Sequence, residues 1–331
     1  MNVVEALRLP GIEAALERVE ESLSASTAGQ DPFLAEVAVH LVRAGGKRLR
    51  PALVLASAAA CGAAPEVPDE VISGAVAVEL VHLGSLYHDD VMDEAASRRG
   101  VDSANARWGN LVAILAGDFL LARASEIAAS LGTEVAALLA RTIGQLCEGE
   151  VGQLRYAFDA GRTEKSYFAS IAGKTASLMS TSARIGGLTS GAPRAQVEAL
   201  TDYGYALGMT FQIWDDIRDL VSTDDDLGKP AGHDMVEGTY TLPVLRALAV
   251  PGIGEDLVSL LGAPLDPPAR DKARDLVLST SAIESSIATG RQWAERACAA
   301  LEPLRRIGPG ADHVTLLGDV GFRLLDELTV P

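Results

Sequence analysis

The sequence predicts an all-α protein of roughly ten helices or more. Three observations support this fold class. Apolar residues recur at helical spacing along nearly every long segment, alanine and leucine are abundant, and no stretch alternates as a half-buried strand would. The 331 residues are 48% hydrophobic, which is sufficient for a large core, and no linker or repeat divides them. We therefore expect a single domain spanning residues 1–331.

Short segments rich in glycine, proline and aspartate separate the expected helices. These connections lie at 62–68, 95–105, 187–194, 222–239 and 251–269. Asp69 is the expected N-cap of the most apolar helix. The expected helices are Val3–Ser24, Pro32–Ala44, Pro51–Cys61, Asp69–Glu94, Leu111–Leu131, Thr133–Phe158, Glu164–Gly186, Ala195–Val221, Thr241–Val250, Arg270–Leu304 and Val314–Leu328.

Composition excludes several classes of protein. The net charge of −17 argues against general nucleic-acid binding, which needs surplus lysine and arginine. The three cysteines are far apart, so we expect neither a disulfide framework nor a zinc site, and a reduced cytoplasm is the natural location. The N-terminus lacks the basic and apolar pattern of a signal peptide. The longest apolar stretch contains Glu79 and His82, which favours a core helix over a transmembrane segment.

A first acidic cluster ends that apolar helix. Asp89 and Asp93 are four residues apart and Asp90 and Asp93 are three apart, so these carboxylates crowd one end of the helix. Each such like-charge pair destabilises a helix by about 0.2–0.5 kcal/mol. Negative charge at a helix C-terminus also opposes the helix dipole. The arrangement therefore costs stability unless a cation binds there.

A second cluster, of Asp215, Asp216 and Asp219, repeats the spacing after another apolar run. Carboxylates at this density suit Mg²⁺, which commonly shares phosphate oxygens with the protein. The alternative is that each cluster is a solvated helix end, and two matching clusters make that alternative weaker than one would. The run at 224–226 lacks the pattern of a calcium-binding loop and is expected to be a polar loop.

Basic residues follow or precede both clusters. Lys47 and Arg50 lie beside an expected helix N-terminus, where backbone N–H groups attract anions. Arg98, Lys174 and Lys229 are the other notable cations, although a lone cation is usually a solvated side chain. Carboxylate pairs together with cations suit a diphosphate held partly by Mg²⁺. No glycine-rich nucleotide motif is present, so a nucleotide is not the favoured ligand.

At these residues the sequence resembles the trans-polyprenyl diphosphate synthase family. The similarity extends over most of the chain and rests on many ordered motifs. They are GGKRLRP at 45–51, ELVH at 79–82, YHDDVMDE at 87–94, RRG at 98–100, GD at 117–118, GE at 149–150, GQ at 152–153, KT at 174–175, FQIWDDIRD at 211–219, GKPAGHD at 228–234 and EGTYTLP at 237–243.

The resemblance implies the isoprenoid-synthase fold, a single large helical bundle around a central cavity, usually as a homodimer. It implies three Mg²⁺ ions per active site, bound by Asp89, Asp90, Asp93, Asp215, Asp216 and Asp219. Contacts to the allylic diphosphate are implied for Arg98, Lys174, Thr175, Gln212 and Lys229. Contacts to isopentenyl diphosphate are implied for Lys47, Arg50, His82 and Arg99. Lys174, Thr175 and Gln212 are the implied catalytic residues.

The implied reaction builds a linear all-trans polyprenyl diphosphate from isopentenyl diphosphate and an allylic primer. Small residues at Gly84 and Ser85, with Val81 one turn further back, leave room for a growing tail beside the Asp89 helix. Short-chain relatives place a bulky aromatic residue at one of the first two positions, so we expect a product beyond C20, in the C30–C50 range. The alternative is that the small residues only permit close helix packing and another helix limits the length.

Four other functions are alternatives to this one. A short-chain synthase would carry the same motifs. A class I terpene cyclase shares one aspartate-rich motif but lacks the second and the GGKRLRP segment. A non-catalytic subunit of a heteromeric synthase would lose the aspartates, and a purely structural protein leaves them unexplained.

Thr239 replaces a lysine common in the family, and Val101-Asp102-Ser103 departs from the usual run after RRG. Peripheral membrane contact would serve product release.

Overall fold

The computed structural model describes residues 12–62, 66–223, 230–305 and 310–328. Most of these residues are helical, which confirms the all-α prediction. The elements are α1 Ile12–Ser26, α2 Pro32–Arg43, α3 Leu49–Ala60, α4 Asp69–Met92, β1 Ser97–Arg98, β2 Val101–Asp102, α5 Ala104–Trp108, α6 Asn110–Ser130, α7 Thr133–Leu154, α8 Glu164–Ile171, a π-helical turn Ala172–Ala176, α9 Ser177–Thr189, α10 Arg194–Val221, α11 His233–Val236, α12 Leu242–Leu248, α13 Ile253–Leu260, α14 Pro267–Leu278, α15 Ala282–Ala300, α16 Glu302–Arg305 and α17 Ala311–Asp326.

Several predicted boundaries need correction. Pro68 is the N-cap of α4, and Asp69 is its first helical residue, where a carboxylate is stabilised by the helix dipole. The helix predicted over 270–304 is three helices, α14 to α16. The first eleven residues of the chain, where the first predicted helix begins, lie outside the described residues.

The connection predicted at 95–105 contains a small antiparallel hairpin, β1 to β2, that sequence periodicity missed. Two-residue strands are too short to alternate visibly. The turn residues Arg99 and Gly100 both have positive φ, at 55° and 77°. Positive φ at both central positions matches the right-handed twist of a two-residue hairpin, and glycine adopts it without steric cost. The turn fixes the directions of two arginines that the sequence had marked as ligand contacts.

The chain divides into two compact units, each assembled from three stretches of sequence. Unit 1 comprises Met1–Ile143, Thr181–Thr201 and Leu301–Leu317, and unit 2 comprises Gly144–Ser180, Asp202–Ala300 and Gly318–Pro331. The prediction of a single domain is not tested by this division.

Helix α4 is the core helix of unit 1 and packs against α1, α3 and α6. It is apolar on nearly all sides, because helices surround it. Among the described residues it is the only helix long and apolar enough to cross a membrane, and 72% of its most apolar window is buried inside the protein. Its burial fixes the end of the helix, where Asp89 to Asp93 lie.

Unit 2 has its own hydrophobic core, which includes the C-terminal half of α10 and the helices that follow it. Ile213 and Ile217 of α10 are fully buried there, together with Tyr167 of α8 and Tyr240. The Tyr240 hydroxyl accepts a hydrogen bond from the backbone N–H of Gly262, so its polar end is satisfied. This core holds the face of α10 that carries the second acidic cluster.

Candidate active site

The first acidic cluster lies at the C-terminal end of α4 in unit 1. Asp93 is the C-cap residue, and its N–H donates to the carbonyl of Asp89 at 2.8 Å. Asp89 is half-buried and Asp93 is exposed, whereas Asp90 is completely buried. The three aspartates therefore have two kinds of environment. The outer two are accessible to solvent, and the middle one is enclosed by the protein.

Asp90 is paired with the hairpin. The Nε of Arg98 donates to Asp90 Oδ1 at 2.7 Å. Burial raises the pKa of Asp90 above its ordinary value, and the Arg98 guanidinium opposes that shift. The second oxygen, Oδ2, is buried and has no hydrogen-bond partner among the described residues. In this structure Asp90 thus ties α4 to β1 and anchors the turn that follows.

Arg99 reaches in the opposite direction from the same turn. Its guanidinium donates to the backbone carbonyls of Leu41 and Gly45. A Cβ at Gly46 would collide with that guanidinium, so a glycine at position 46 is required for the arginine to lie there. The GGKRLRP and RRG motifs are thus in direct contact within unit 1.

Arg48 holds the loop between α2 and α3. Its guanidinium pairs with Glu20 and with Glu79, the latter at 3.1 Å, and donates to the carbonyl of Val42 at 3.0 Å. Arg48 has a left-handed backbone with φ of 48°, which costs a non-glycine residue about 1–2 kcal/mol. Five hydrogen bonds from one buried guanidinium offset that strain.

Three arginines, Arg48, Arg50 and Arg99, act electrostatically on the buried Glu79. Burial lowers the pKa of Arg50, and the nearby charges of Glu79, Arg99 and Asp89 also act on it. The Nε of Arg50 is buried without a partner in the described part of the chain. The Glu79 side chain is almost completely buried, and burial raises its pKa. An anionic ligand would reduce the repulsion between the arginines and satisfy the unpaired donor.

His82 lies on α4 close to these arginines. Burial, followed by the charges of Arg50 and Arg99, holds the pKa of His82 well below its ordinary value. The imidazole is therefore neutral at neutral pH. It offers a ligand one hydrogen-bond donor and one acceptor rather than a charge.

The second acidic cluster lies near the C-terminal end of α10 in unit 2. Asp215 is exposed, whereas Asp216 and Asp219 are 3% and 4% exposed. Asp219 accepts the N–H of Asp234 through its carboxylate at 3.3 Å, and its carbonyl accepts the N–H of Gly232 at 2.7 Å. Asp219 therefore fixes the segment that leads into α11.

Asp216 is held by neutral donors. Tyr167 donates its O–H to Asp216 Oδ2 at 2.5 Å, and the Gln212 amide donates to Oδ1 at 2.8 Å. Gln212 in turn accepts the Thr175 O–H at 2.6 Å. Burial raises the pKa of Asp216 to about 7, and the neighbouring charges of Asp215 and Asp219 add to the shift. The hydrogen bonds from Tyr167 and Gln212 act against it.

Lys174 and Thr175 lie in the π-helical turn between α8 and α9. Single π turns inside helices are frequent at functional sites. Gly149 and Gly173 allow α7 to approach this turn, because a Cβ on either would collide with the backbone of the other segment. The close approach brings Glu150 within 2.7 Å of the Lys174 Nζ. The GE and KT motifs thus form one local structure.

The chain is similar to known proteins in sequence and in fold. The polyprenyl synthetase family profile matches residues 31–263. A nonaprenyl diphosphate synthase from Mycobacterium tuberculosis is 42% identical over 267 residues, which cover 80% of this chain and 79% of that one. The chain belongs to the polyprenyl synthetase family.

Two further relatives of this polyprenyl synthetase are informative. A heptaprenyl diphosphate synthase component 2 from Geobacillus stearothermophilus is 39% identical, over 87% of this chain and 89% of that one. A crystal structure of a polyprenyl synthase from Caulobacter crescentus, complexed with calcium and isoprenyl diphosphate, aligns with a TM-score of 0.88. It is 32% identical and covers 98% of each chain. The isoprenoid-synthase fold is thereby confirmed.

The carboxylates of the polyprenyl synthetase fit Mg²⁺ as it binds with phosphate. In the described ranges no group of three His, Cys, Asp or Glu side chains is close enough to bind a metal alone. Mg²⁺ usually keeps several waters and uses one or two carboxylates together with substrate phosphates. Asp89, Asp93 and Asp215, which are half-buried or exposed, are suited to that role.

Three further positions that the sequence singled out are Lys47, Lys229 and Thr239. Lys47 is exposed at the α2–α3 loop. Lys229 lies outside the described residues. Thr239, which replaces the lysine common in the family, is half-buried, and its N–H donates to the Asp234 carbonyl at 2.8 Å. Asp219 in turn accepts hydrogen bonds from the backbone N–H groups of Gly232 and Asp234. These hydrogen bonds hold the segment from Gly232 to Thr239 without a lysine.

The three residues predicted to control product length have different surroundings. Gly84 is buried against α6, where a Cβ would lie 3.1 Å from the carbonyl oxygen of Gly117 and from Leu121. Val81 is completely buried. Ser85 is half-buried, and its hydroxyl donates to the His82 carbonyl at 2.8 Å. Gly84 therefore has the packing role that the sequence left open as an alternative, and Ser85 stays the predicted length-determining position.

Sequence reasoning missed four residues that hold the site together. They are Arg48, Glu79, Arg162 and Tyr167. Arg48 and Glu79 stood inside quoted motifs, but adjacent cations in GGKRLRP cannot be told apart by spacing. A charged residue within an apolar helix, such as Glu79, was the one available signal of a buried partner.

Proposed function

We propose that this protein is a Mg²⁺-dependent trans-prenyltransferase that joins isopentenyl diphosphate to an allylic diphosphate and releases a linear polyprenyl diphosphate. The observation that carries the proposal lies within unit 1. Asp89, in the last turn of α4, acts electrostatically on Arg50, which lies beside Arg99 and the neutral His82. A carboxylate site for a metal–diphosphate thus adjoins a cationic pocket for a second diphosphate.

In this mechanism Asp89, Asp93 and Asp215 hold Mg²⁺ on the allylic diphosphate, and Lys174 and Lys229 contact its oxygens. Mg²⁺, of which we propose three ions, supplies positive charge that stabilises the departing diphosphate. The bond between C1 and the diphosphate oxygen breaks, leaving an allylic cation and a free diphosphate. The Thr175 and Gln212 oxygens stabilise the cation while an apolar surround excludes water.

Lys47, Arg50, His82 and Arg99 bind and orient isopentenyl diphosphate. Its double bond attacks C1 of the cation, forming the new carbon–carbon bond. A proton leaves the adjacent carbon and passes to the released diphosphate, which restores a double bond in the product. Each cycle lengthens the chain by one isoprene unit and regenerates an allylic diphosphate.

The proposed product is longer than C20, in the C30–C50 range. Two observations support this. The relatives described above are named as nonaprenyl and heptaprenyl synthases. No aromatic side chain occupies position 84 or 85, and Ser85 is half-buried rather than packed. A short-chain product is the second candidate, because a short chain isoprenyl diphosphate synthase from Methanothermobacter thermautotrophicus is 38% identical over 80% of this chain.

We further propose that the enzyme is a cytoplasmic homodimer whose whole chain acts as one catalytic domain, with peripheral membrane contact for product release. An exposed apolar face on α6 supports the dimer. Leu111 and Leu115 are 80% and 61% exposed, and Ile114 lies beside them. A second copy would remove these side chains from water.

Product analysis tests the function. The purified full chain is incubated with Mg²⁺, isopentenyl diphosphate and a farnesyl or geranylgeranyl primer, and the products are sized after removal of the diphosphate. We expect a linear product of C30–C50. A C15–C20 product favours the short-chain candidate, and a cyclic hydrocarbon made without isopentenyl diphosphate contradicts prenyl transfer. Activity only after addition of a second, different chain would contradict the homodimer, an outcome that the name "component 2" of one relative makes worth testing.

A further inference from the structure

Four side chains in unit 2 form a continuous series of hydrogen bonds. Tyr167 donates to one oxygen of Asp216 at 2.5 Å, and the Gln212 amide nitrogen donates to the other at 2.8 Å. The Gln212 carbonyl oxygen accepts the hydroxyl proton of Thr175 at 2.6 Å. We call this series the Tyr167 relay. It connects the deepest of the four groups to the π-helical turn.

The relay fixes the direction of each hydrogen bond. When Asp216 is ionised, both of its carboxylate oxygens accept, so Gln212 must turn its NH₂ group toward Asp216 and its carbonyl toward Thr175. Thr175 must then donate its only hydroxyl proton inward. The remaining lone pairs of the Thr175 oxygen are what a ligand meets. Lone pairs repel a diphosphate oxygen and stabilise a developing cation.

The starting point of the relay is rigid. Tyr167 is 1% exposed, and the edge of its ring meets Phe168 with centroids 5.2 Å apart. The guanidinium of Arg162 lies over the same ring, 5.6 Å from its centroid, and donates to the Tyr240 carbonyl at 3.1 Å. The phenol is held from two sides, so its hydroxyl cannot follow a displaced carboxylate.

Asp216 differs from the adjacent Asp215 in its burial and in its hydrogen-bond partners. Asp215 is exposed, whereas Asp216 is 3% exposed and accepts a hydrogen bond from a protein donor at each carboxylate oxygen. A carboxylate used in this way is poorly placed to bind a metal as well, because metal binding would displace the tyrosine or the glutamine. The donors Tyr167 and Gln212 thus distinguish Asp216 from Asp215, although the sequence motif makes the two aspartates look equivalent.

We infer that Tyr167 and Asp216 are positioning residues that aim the Gln212 and Thr175 oxygens at the reacting allylic carbon, and that Asp216 is not a Mg²⁺ ligand. The inference rests on the proposed prenyl transfer. Neither positioning residue touches substrate. They act by keeping the amide and the hydroxyl in one orientation, so that no reorganisation is needed when charge develops.

Tyr167→Phe is the direct test, because it deletes one hydroxyl and keeps the ring between Arg162 and Phe168. We expect kcat to fall roughly 10- to 100-fold, the scale of effect seen when a reacting group is misaligned, with both substrate KM values unchanged within about twofold. The matched control is Tyr240→Phe, which deletes a hydroxyl from another fully buried tyrosine of the same core. Its kcat should stay at the wild-type value, and an equal loss in both variants would indicate a structural role only.

A double-mutant cycle tests whether the tyrosine acts through the glutamine. In a Gln212→Ala background, Tyr167→Phe should cause no further loss of kcat, because the group that it positions is gone. If the two substitutions instead reduce kcat independently, so that their fold-losses multiply in the double variant, the relay is contradicted. Asp216→Asn tests the metal assignment. We expect lower kcat with the Mg²⁺ concentration for half-maximal rate changed less than about twofold, whereas a tenfold or greater rise would make Asp216 a metal ligand.

A measurement without substrate or metal separates the relay from the proposed function. In metal-free protein with ¹⁵N-labelled glutamine side chains, the Gln212 amide signal is identified by its loss in Gln212→Ala. We expect its hydrogens to exchange slowly with solvent in the wild type and in Tyr240→Phe, and faster in Tyr167→Phe. Equal exchange in all three overturns the relay. A wild-type protein that makes no prenyl product overturns the proposed function, and the exchange result still decides the relay.

Discussion

The aspartate-rich segments of units 1 and 2 have the same spacing, yet different chemistry holds their middle carboxylates. In unit 1, Asp90 accepts from the charged guanidinium of Arg98 at 2.7 Å. In unit 2, Asp216 accepts from a phenol and an amide, which are neutral. A guanidinium compensates the charge of a buried carboxylate, whereas neutral donors only solvate it. Burial raises the pKa of both middle carboxylates, and that of Asp216, which has no guanidinium partner, rises to about 7.

The comparison teaches that two adjacent aspartates in such a segment perform separate tasks. The outer residues Asp89 and Asp215 are half-buried or exposed, where they are able to reach a ligand. The middle residues are buried and tied to neighbouring elements. Substituting outer and middle residues should therefore change different properties, and each prediction below tests part of that division.

The largest expected effect comes from the outer aspartates. Asp89→Asn and Asp215→Asn each remove a proposed ligand charge, so kcat should fall roughly 100- to 1000-fold. Because neither carboxylate is part of a buried core, the melting temperature should stay near the wild-type value. Steady-state kinetics and thermal unfolding measured on the same preparations check both points. A variant that melts early while keeping its activity would reverse the roles assigned to outer and middle residues.

The next effect is the pH dependence of stability caused by Asp216. Its folded pKa of about 7 lies above the ordinary value of 3.8, so the folded state binds this proton more tightly. The stabilisation is complete below the ordinary pKa and is lost as pH rises through the folded pKa. Relative to Asp216→Asn, the metal-free wild type should lose up to about 4 kcal/mol of unfolding free energy between about pH 4 and pH 8.

Denaturant unfolding of both proteins in the presence of a chelator measures that difference. The asparagine variant provides the baseline, because it keeps the shape of the side chain but cannot titrate. A wild-type stability that runs parallel to the variant across this pH range would mean that the neutral donors compensate the carboxylate as well as a guanidinium does.

Asp90→Asn should have a smaller effect on stability. The substitution leaves the Arg98 guanidinium, which is 31% exposed, without its anionic partner. We expect the unfolding free energy to fall by about 1–3 kcal/mol, the cost of leaving one hydrogen-bonding group unsatisfied. Arg98→Gln is the matched change on the other side of the pair. If the two losses simply add in the double variant, the pair is not coupled and the contrast with Asp216 disappears.

The smallest effect is expected for an exposed ion pair at the opposite end of α4. Arg18 and Asp69 are 2.6 Å apart, but the Asp69 side chain is 93% exposed. Asp69→Asn should lower the unfolding free energy by less than about 1 kcal/mol, and added salt should reduce even that. Chemical unfolding at two salt concentrations provides the measurement. A loss as large as that of Asp90→Asn would show that burial does not distinguish the two pairs.

The helices and the outer aspartates could be predicted because their signals are local. Apolar periodicity identifies α4 and α10, and one-turn spacing places Asp89 beside Asp93. The roles of the middle aspartates could not be predicted, since they depend on partners distant in sequence, such as Tyr167 for Asp216. The left-handed backbone of Arg48 also could not be predicted, because the carboxylates that offset its strain come from α1 and α4.

The hairpin and the π turn were missed for a related reason. Two-residue strands carry too few side chains for an alternating pattern, and a π turn leaves the apolar pattern of the flanking helices nearly intact. Close backbone approach at Gly149 and Gly173 accompanies the π turn, and positive φ at Gly100 accompanies the hairpin, but the sequence shows these glycines only as small residues.

The π-helical turn at Ala172–Ala176 has a consequence for how this chain tolerates changes of length. One residue advances a regular helix by about 100°. Deleting a single residue from the turn would let α8 and α9 fuse into an uninterrupted helix, at little local cost. A deletion from a regular helix would rotate one side by that angle, but a π turn takes up one extra residue, so here the flanking helices would keep their faces and only side chains of the turn, such as Thr175, would move away from their partners. The shorter protein would keep its helix content and lose the alignment that joins them.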